Sequence, residues 1–156
     1  MFSLNETLFA VTTNDILFHL KCEEITQNAG SEPFARLSTH LLTQRSFYPL
    51  FPPPPRESLP AGLKAVGASL DVPNMRLADL VNVTPDVLVV PSMLGTFAKV
   101  VDGVVVVNPG NACKPRGAGT FAEFVILPKR VEEEGKMDET VGHAVWDRAR
   151  VDVKRI

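Results

Sequence analysis

Two loops hold the residues of this 156-residue chain best placed for chemistry: Pro91-Ser-Met-Leu94 and Asn108-Pro-Gly-Asn-Ala-Cys-Lys-Pro-Arg-Gly-Ala-Gly119. Each follows a short β-branched run, Asp86-Val-Leu-Val-Val90 or Val104-Val-Val-Val107, with a proline just beyond it. Loops at the carboxyl ends of buried strands are where α/β folds place ligands. Neither loop carries a histidine or a carboxylate, so neither offers a general base or a ligand set for a hard metal ion. Cys113 beside Lys114 suits a low-pKa thiolate. No histidine lies near it in sequence to act as its base, which favours a bland role. The glycines invite a phosphate-loop reading, but that motif needs Gly-x-x-x-x-Gly-Lys-Ser/Thr opening a helix. Here they lead into the strand-like stretch Thr120–Leu127. Turn duty fits better, with Gly110 allowing a tight turn and Gly117 and Gly119 letting a β-hairpin connection bend. Lys114 and Arg116 remain as cations for a partner or a nucleic-acid backbone, although the chain as a whole is acidic.

The three histidines, His19, His40 and His143, show no ligand-pair spacing such as i, i+4, and structural or surface roles suit them better than metal ligation. Phe47, Tyr48 and Phe51 cluster around Pro49 beside Arg45. Such an anchor suits either a core edge or an interface hot spot. Arg45, Phe47, Tyr48 and Arg116 are therefore the candidate partner contacts.

These residues need elements to hold them. Leu8 to Val11 reads as a strand with no neighbouring strand before it. Thr13 suits a helix N-cap and Asp15 its first turn, giving a helix over about 14–26 with Ile16, Leu17, Leu20 and Ile25 on one stripe. Asn28–Ser31 reads as a loop. Pro33 opens a second helix, with Phe34, Leu37, Leu41 and Leu42 facing the core. The prolines of 49–60 cannot be helix or central strand; they form a stiff surface connector, and the excursion runs to about Asp71. Runs at 86–90 and 104–107 lack polar alternation, as strands buried on both faces do. Residues 120–127 form another strand, 130–138 a charged loop, and Trp146–Ile156 a half-exposed closing strand.

Composition bounds the rest. The length suits one domain. Hydrophobic residues make up 45% and charged residues 22%, which is ordinary for a globular chain. A net charge of −2 leaves no overall basic footprint for nucleic acid. Two distant cysteines make no disulfide framework and point to a reducing compartment. No apolar run approaches the roughly 20 residues that span a bilayer, and no secretory pattern opens the chain.

Three blocks carry a family resemblance: Thr12-Thr-Asn-Asp-Ile-Leu-Phe-His-Leu20, Leu41-Leu-Thr-Gln-Arg-Ser-Phe-Tyr-Pro-Leu-Phe-Pro52, and Pro85-Asp-Val-Leu-Val-Val-Pro-Ser92 with Val107-Asn-Pro-Gly110 and Gly119-Thr-Phe-Ala122. In order and spacing they resemble the carboxyl-terminal part of the B subunits of DNA polymerase alpha. The resemblance implies an α/β fold: the carboxyl-terminal half of a calcineurin-like phosphoesterase β-sandwich flanked by helices, lacking its metal site. It places all of 1–156 in that half, with the first half and an oligonucleotide-binding-type domain upstream, so the chain reads as a fragment or truncated gene model. Strands at 8–11, 86–90 and 104–107 would then expose open edges. Active phosphoesterases clamp two metal ions about 3.5–4 Å apart with His, Asp and Asn ligands. Ser92 and Leu94 fall where two histidines would stand, and Gln44 where another is expected, so no catalytic, metal or cofactor residue is implied. The implied role is a non-catalytic, nuclear accessory subunit. It would hold the carboxyl-terminal domain of the polymerase catalytic subunit, and primase through the complex, with only indirect DNA contact. Two alternatives are a phosphoesterase with variant ligands and the corresponding accessory protein of polymerase delta or epsilon; Ser92 and Leu94 weigh against the first, the Gln44–Pro49 block against the second.

Overall fold

The computed structural model describes residues 1–27, 32–53, 71–80, 83–128 and 143–156. In chain order they form β1 (Phe2–Leu4), β2 (Thr7–Val11), α1 (Ile16–Glu23), α2 (Pro33–Thr43), a 3₁₀ turn (Val72–Ala78), β3 (Val87–Val89), β4 (Phe97–Val101), β5 (Val104–Asn108), β6 (Thr120–Ile126), α3 (Val145–Arg148) and β7 (Ala149–Arg155). The loop at 28–31, most of the proline tract and its excursion (54–70), and the charged stretch at 130–138 lie outside the described residues.

All five residues of β5 are buried, as a valine run without polar alternation requires. Successive side chains point to opposite faces, so Val104 and Val106 pack with Leu88, α1 and α2, while Val105 and Val107 pack with Val87 on the other face. Each fully buried valine contributes about 1.5 to 3 kcal/mol. Five strands lie in the order β1-β2-β3-β5-β4. β2, β3 and β5 are parallel, while β1 and β4 pair antiparallel at the two edges. Asp86 fastens the middle of this sheet: its Oδ2 accepts from Leu8 N–H at 2.7 Å, and its carbonyl accepts from Val105 N–H at 2.9 Å.

The helices cover one face. Asp15, not Thr13, caps α1, its Oδ1 accepting from Phe18 N–H at 3.2 Å. The helix is shorter than 14–26, and Ile25 lies 99% exposed beyond it. Arg36 of α2 donates to both carboxylate oxygens of Glu24, at 2.5 and 2.9 Å. Those bonds hold the Glu24 carboxyl below the usual carboxylate range. Phe34 stacks on Phe97 with centroids 4.9 Å apart, joining α2 to β4. On the opposite face, β6 and β7 form a two-stranded antiparallel sheet. Its inward residues Ala122, Phe124, Ile126 and Val151 pack on Val105 and Val107, and Phe121 and Val125 point outward. The result is a layered α/β arrangement: helices, a mixed sheet, a small sheet.

Several expectations are corrected here. A strand does precede β2, because Asn5 and Glu6, at φ 47° and 64°, turn the chain back into β1. The stretch before β5, unassigned from the sequence, holds β4: Asp102 and Gly103, at φ 49° and 78°, make the tight turn of a β4–β5 hairpin, a geometry that matches strand twist. The strands at 8–11, 86–90 and 104–107 therefore present no open edges; each has neighbours on both sides. The glycines of 117–119 do not serve a hairpin, since β5 and β6 belong to different sheets. Trp146 lies in the short helix α3, and the closing strand starts at Ala149.

Within the helical layer His19 is buried, and its Nδ1 lies 3.3 Å from the Tyr48 hydroxyl. Burial lowers the His19 pKa below its ordinary value and raises that of Tyr48. A neutral imidazole accepting from a protonated phenol satisfies both groups. The unfolded chain, with an ordinary histidine near 6.5, binds the proton first. Stability from this site is therefore complete above about pH 6.5 and is lost as pH falls through the lower folded value. We expect denaturant midpoints to drop between pH 7.5 and 5.5 and His19→Gln to flatten that slope; an unchanged slope in the variant would refute the assignment.

Candidate functional site

The carboxyl ends of β3 and β5 meet at Asn108, the last residue of β5 and fully buried. Its Oδ1 accepts from Ser92 N–H and from Gly110 N–H, both at 2.9 Å. Its Nδ2 donates to the carbonyls of Leu94 at 3.3 Å and Gly95 at 3.1 Å. One neutral amide thus pairs two donors and two acceptors from both strand-end loops. Ser92, 1% exposed, accepts at Oγ from Leu94 N–H at 3.1 Å. Met93 N–H donates to Asp15 Oδ2 at 2.8 Å, so the cap of α1 holds the same loop.

Beyond this braced wall opens a cleft of about 870 Å³. The 92–96 loop forms one side, the 110–120 connection the other, and Arg155 stands at the end of β7. The far side is pinned at several points. Thr120 N–H donates to Asn111 O, and Ile156 N–H donates to Gly119 O, both at 3.0 Å. Gly110, at φ 74°, brings its backbone against Thr120: a Cβ there would lie 2.5 Å from the threonine hydroxyl. At Gly119 a Cβ would collide with Ala112 O, so no side chain fits the close approach of the two limbs of this loop.

The residues singled out from the sequence are not gathered in one place. Arg116 and Lys114 are exposed and line the cleft. Arg45, exposed and at φ 48°, follows α2, and its carbonyl accepts from Leu80 N–H at 2.8 Å. Phe47 is half-buried against the helical core, and Tyr48, 8% exposed, belongs to it. The histidines are likewise apart: His19 sits in the core, His40 lies 3.5 Å from Glu24, and His143 lies 3.4 Å from Asp86. Cys22 and Cys113 are free and exposed. Among the described residues no three His, Cys, Asp or Glu side chains are grouped to hold a metal ion. The central residue that sequence reasoning missed is Asn108. Its signal was a lone amide closing an all-apolar run just before Pro-Gly, where a buried polar group must find partners.

Residues 1–99 match the family of DNA polymerase alpha/epsilon B subunits. The chain is similar to the DNA polymerase alpha B subunit of Schizosaccharomyces pombe, 39% identical over the whole of this chain and 26% of the relative. It is 38% identical to that of Rattus norvegicus over 92% of this chain and 22% of the relative. With that of Saccharomyces cerevisiae it shares 33% identity over 97% of this chain and 25% of the relative. The chain spans about a quarter of the length of these curated relatives.

Asn108→Ala leaves two loop N–H groups without an acceptor, and such losses cost roughly 1–3 kcal/mol each when buried. We expect a destabilisation of about 2 to 4 kcal/mol by chemical denaturation. Asn108→Asp keeps the acceptors but turns a carboxylate oxygen toward two carbonyls. That variant should recover stability as pH falls and the carboxyl protonates, whereas the alanine variant should not. Equal stability of Asn108→Ala and the parent would show that the bracing is dispensable.

Proposed function

The chain belongs to the family of DNA polymerase alpha/epsilon B subunits, and from that premise we propose that it works as a non-catalytic platform within a polymerase alpha accessory subunit. In this reading the domain is the carboxyl-terminal portion of an inactivated calcineurin-like phosphoesterase. It binds the carboxyl-terminal domain of the polymerase catalytic subunit, is linked through it to primase, and acts in the nucleus at the initiation of replication.

The observation that carries this reading is the fate of the polar groups at the strand ends. A hydrolytic site there needs side chains displayed with free lone pairs, to hold metal ions or to activate water. Here Asn108 spends its whole amide on backbone groups, Ser92 Oγ is turned to Leu94 N–H, and Leu94 has no lone pair to offer. The chemistry of the loops serves rigidity. A domain whose strand-end loops are braced in this way is suited to contact, and exposed arginines and aromatics dominate contact energetics. Arg45 and the half-buried Phe47 remain candidates on the helical side, while Tyr48 acts from inside the core.

In the full-length protein, Arg45→Ala or Phe47→Ala at a true anchor should weaken binding to the catalytic subunit's carboxyl-terminal domain by at least about thirty-fold, or about 2 kcal/mol. Tyr48→Phe should leave affinity alone and lower stability by about 1 kcal/mol. Calorimetric titration beside denaturation separates the two effects. A folded full-length protein that fails to bind at micromolar concentration, or that shows metal-dependent phosphodiester hydrolysis abolished by Ser92→Ala, would overturn the proposal.

A further inference from the structure

We propose that the cleft between the 92–96 loop and the 110–120 connection is a phosphate-binding site, taking the phosphodiester backbone of a single-stranded nucleic acid. This goes beyond the accessory role, and it is read without any other polymerase component present, so either proposal can fail alone.

Charge placement is the first observation. Elsewhere on the surface four cations stand beside carboxylates (Lys99 with Glu32, Lys154 with Glu123, Arg150 with Asp152, Arg36 with Glu24), and those with no such partner among the described residues, Lys21, Arg45, Arg76 and Arg148, do not line the cleft. At the cleft three cations converge from two parts of the chain, Lys114 and Arg116 on the loop and Arg155 on β7. No Asp or Glu lines it among the described residues. None of the three cations has an ion-pair partner among the described residues. Asp15, whose carboxylate is tied to its wall, accepts from the N–H groups of Met93 and Phe18. A chain of net charge −2 thus carries a concentrated positive cleft, and like charges facing one concavity attract an anion.

The second observation is how the cations are held. Arg155 is the register partner of Thr120 across β6 and β7. The loop bearing Lys114 and Arg116 is closed at its base by the Thr120–Asn111 hydrogen bond and by the side-chain-free approach of Gly119 to Ala112. Thr120 Oγ1, on the cleft wall, is buried without a hydrogen-bond partner. Planar guanidinium groups suit phosphate oxygens, which they grip through paired N–H donors. A volume of about 870 Å³ exceeds what a lone inorganic phosphate fills and suits a short stretch of single strand.

The test is a fluorescence-anisotropy titration of the folded chain with a short dye-labelled oligothymidylate at several salt concentrations. Each neutralised phosphate contributes about −0.7 to the log–log salt slope for single strands, so three contacts predict a slope of about −2. Lys114→Ala, Arg116→Ala and Arg155→Ala should each reduce that slope by about 0.7 and weaken binding. Arg76→Ala and Lys21→Ala, exposed elsewhere, should change neither, and displacement of the oligonucleotide by inorganic phosphate would support a phosphate site. Four results overturn the proposal: no binding at low salt, equal losses in the control variants, tighter binding of oligoglutamate, or binding of inorganic phosphate without the oligonucleotide.

Discussion

A strand buried on both faces has to end somewhere, and the turn that follows it carries backbone groups that water cannot reach. β5 meets this constraint with the side chain of its own last residue. Asn108 is neutral, and its amide offers an acceptor and a donor side by side, so it can pair N–H groups from one direction and carbonyls from another. Aspartate lacks the donors, and leucine lacks both. In a low-dielectric interior such a network is strong when complete and costly when broken. From Asn108 it runs through Ser92 to Leu94, and the loop is tied separately through Met93 to Asp15 at the start of α1. The central strand, the neighbouring loop and the first helix are therefore positioned together.

The parts of the fold that could be read from the sequence are those set by local composition. The valine runs announced β3 and β5, and the proline at the start of α2 marked where that helix begins. What escaped depended on backbone conformation or on distant partners. β4 was hidden because Phe97-Ala-Lys-Val-Val101 alternates weakly, yet the Asp102-Gly103 turn beside it was a readable hairpin signal. β1 was harder, since its turn uses Asn5 and Glu6, and a glutamate at positive φ is an uncommon choice. Asp15 displaced Thr13 as the cap because its two carboxylate oxygens serve two partners, one of them Met93, seventy-eight residues away in sequence. No local rule includes that second bond.

The site was legible in one half only. The lack of histidines and carboxylates on the two loops is a property of the sequence, and the structure adds what the remaining polar groups do instead. Arg116 and Lys114 were visible as cations, but their convergence with Arg155 depends on the pairing of β6 with β7 across 35 positions of chain, from Thr120 to Arg155. Net charge, summed over the whole chain, conceals such a patch because acidic residues elsewhere cancel it.

The two surfaces sit on different supports. The Arg45–Tyr48 segment rests on the helical layer, where Tyr48 is fixed by His19 and Phe47 packs against the same core. The cleft rests on strand ends, where its walls are fixed by Asn108 on one side and by the β6–β7 pairing on the other. Substitutions at well-separated positions that share no partner are expected to behave additively. A change at the exposed cleft residues Lys114 or Arg116 should therefore leave the helical side intact, whereas the 92–96 wall is tied to α1 through Met93 and Asp15. The valines of β5 are what both supports share: Val104 and Val106 face the helices, Val105 and Val107 the small sheet. Truncating one of these would disturb both surfaces at once through lost packing, so only changes outside the strand can assign a function to either face.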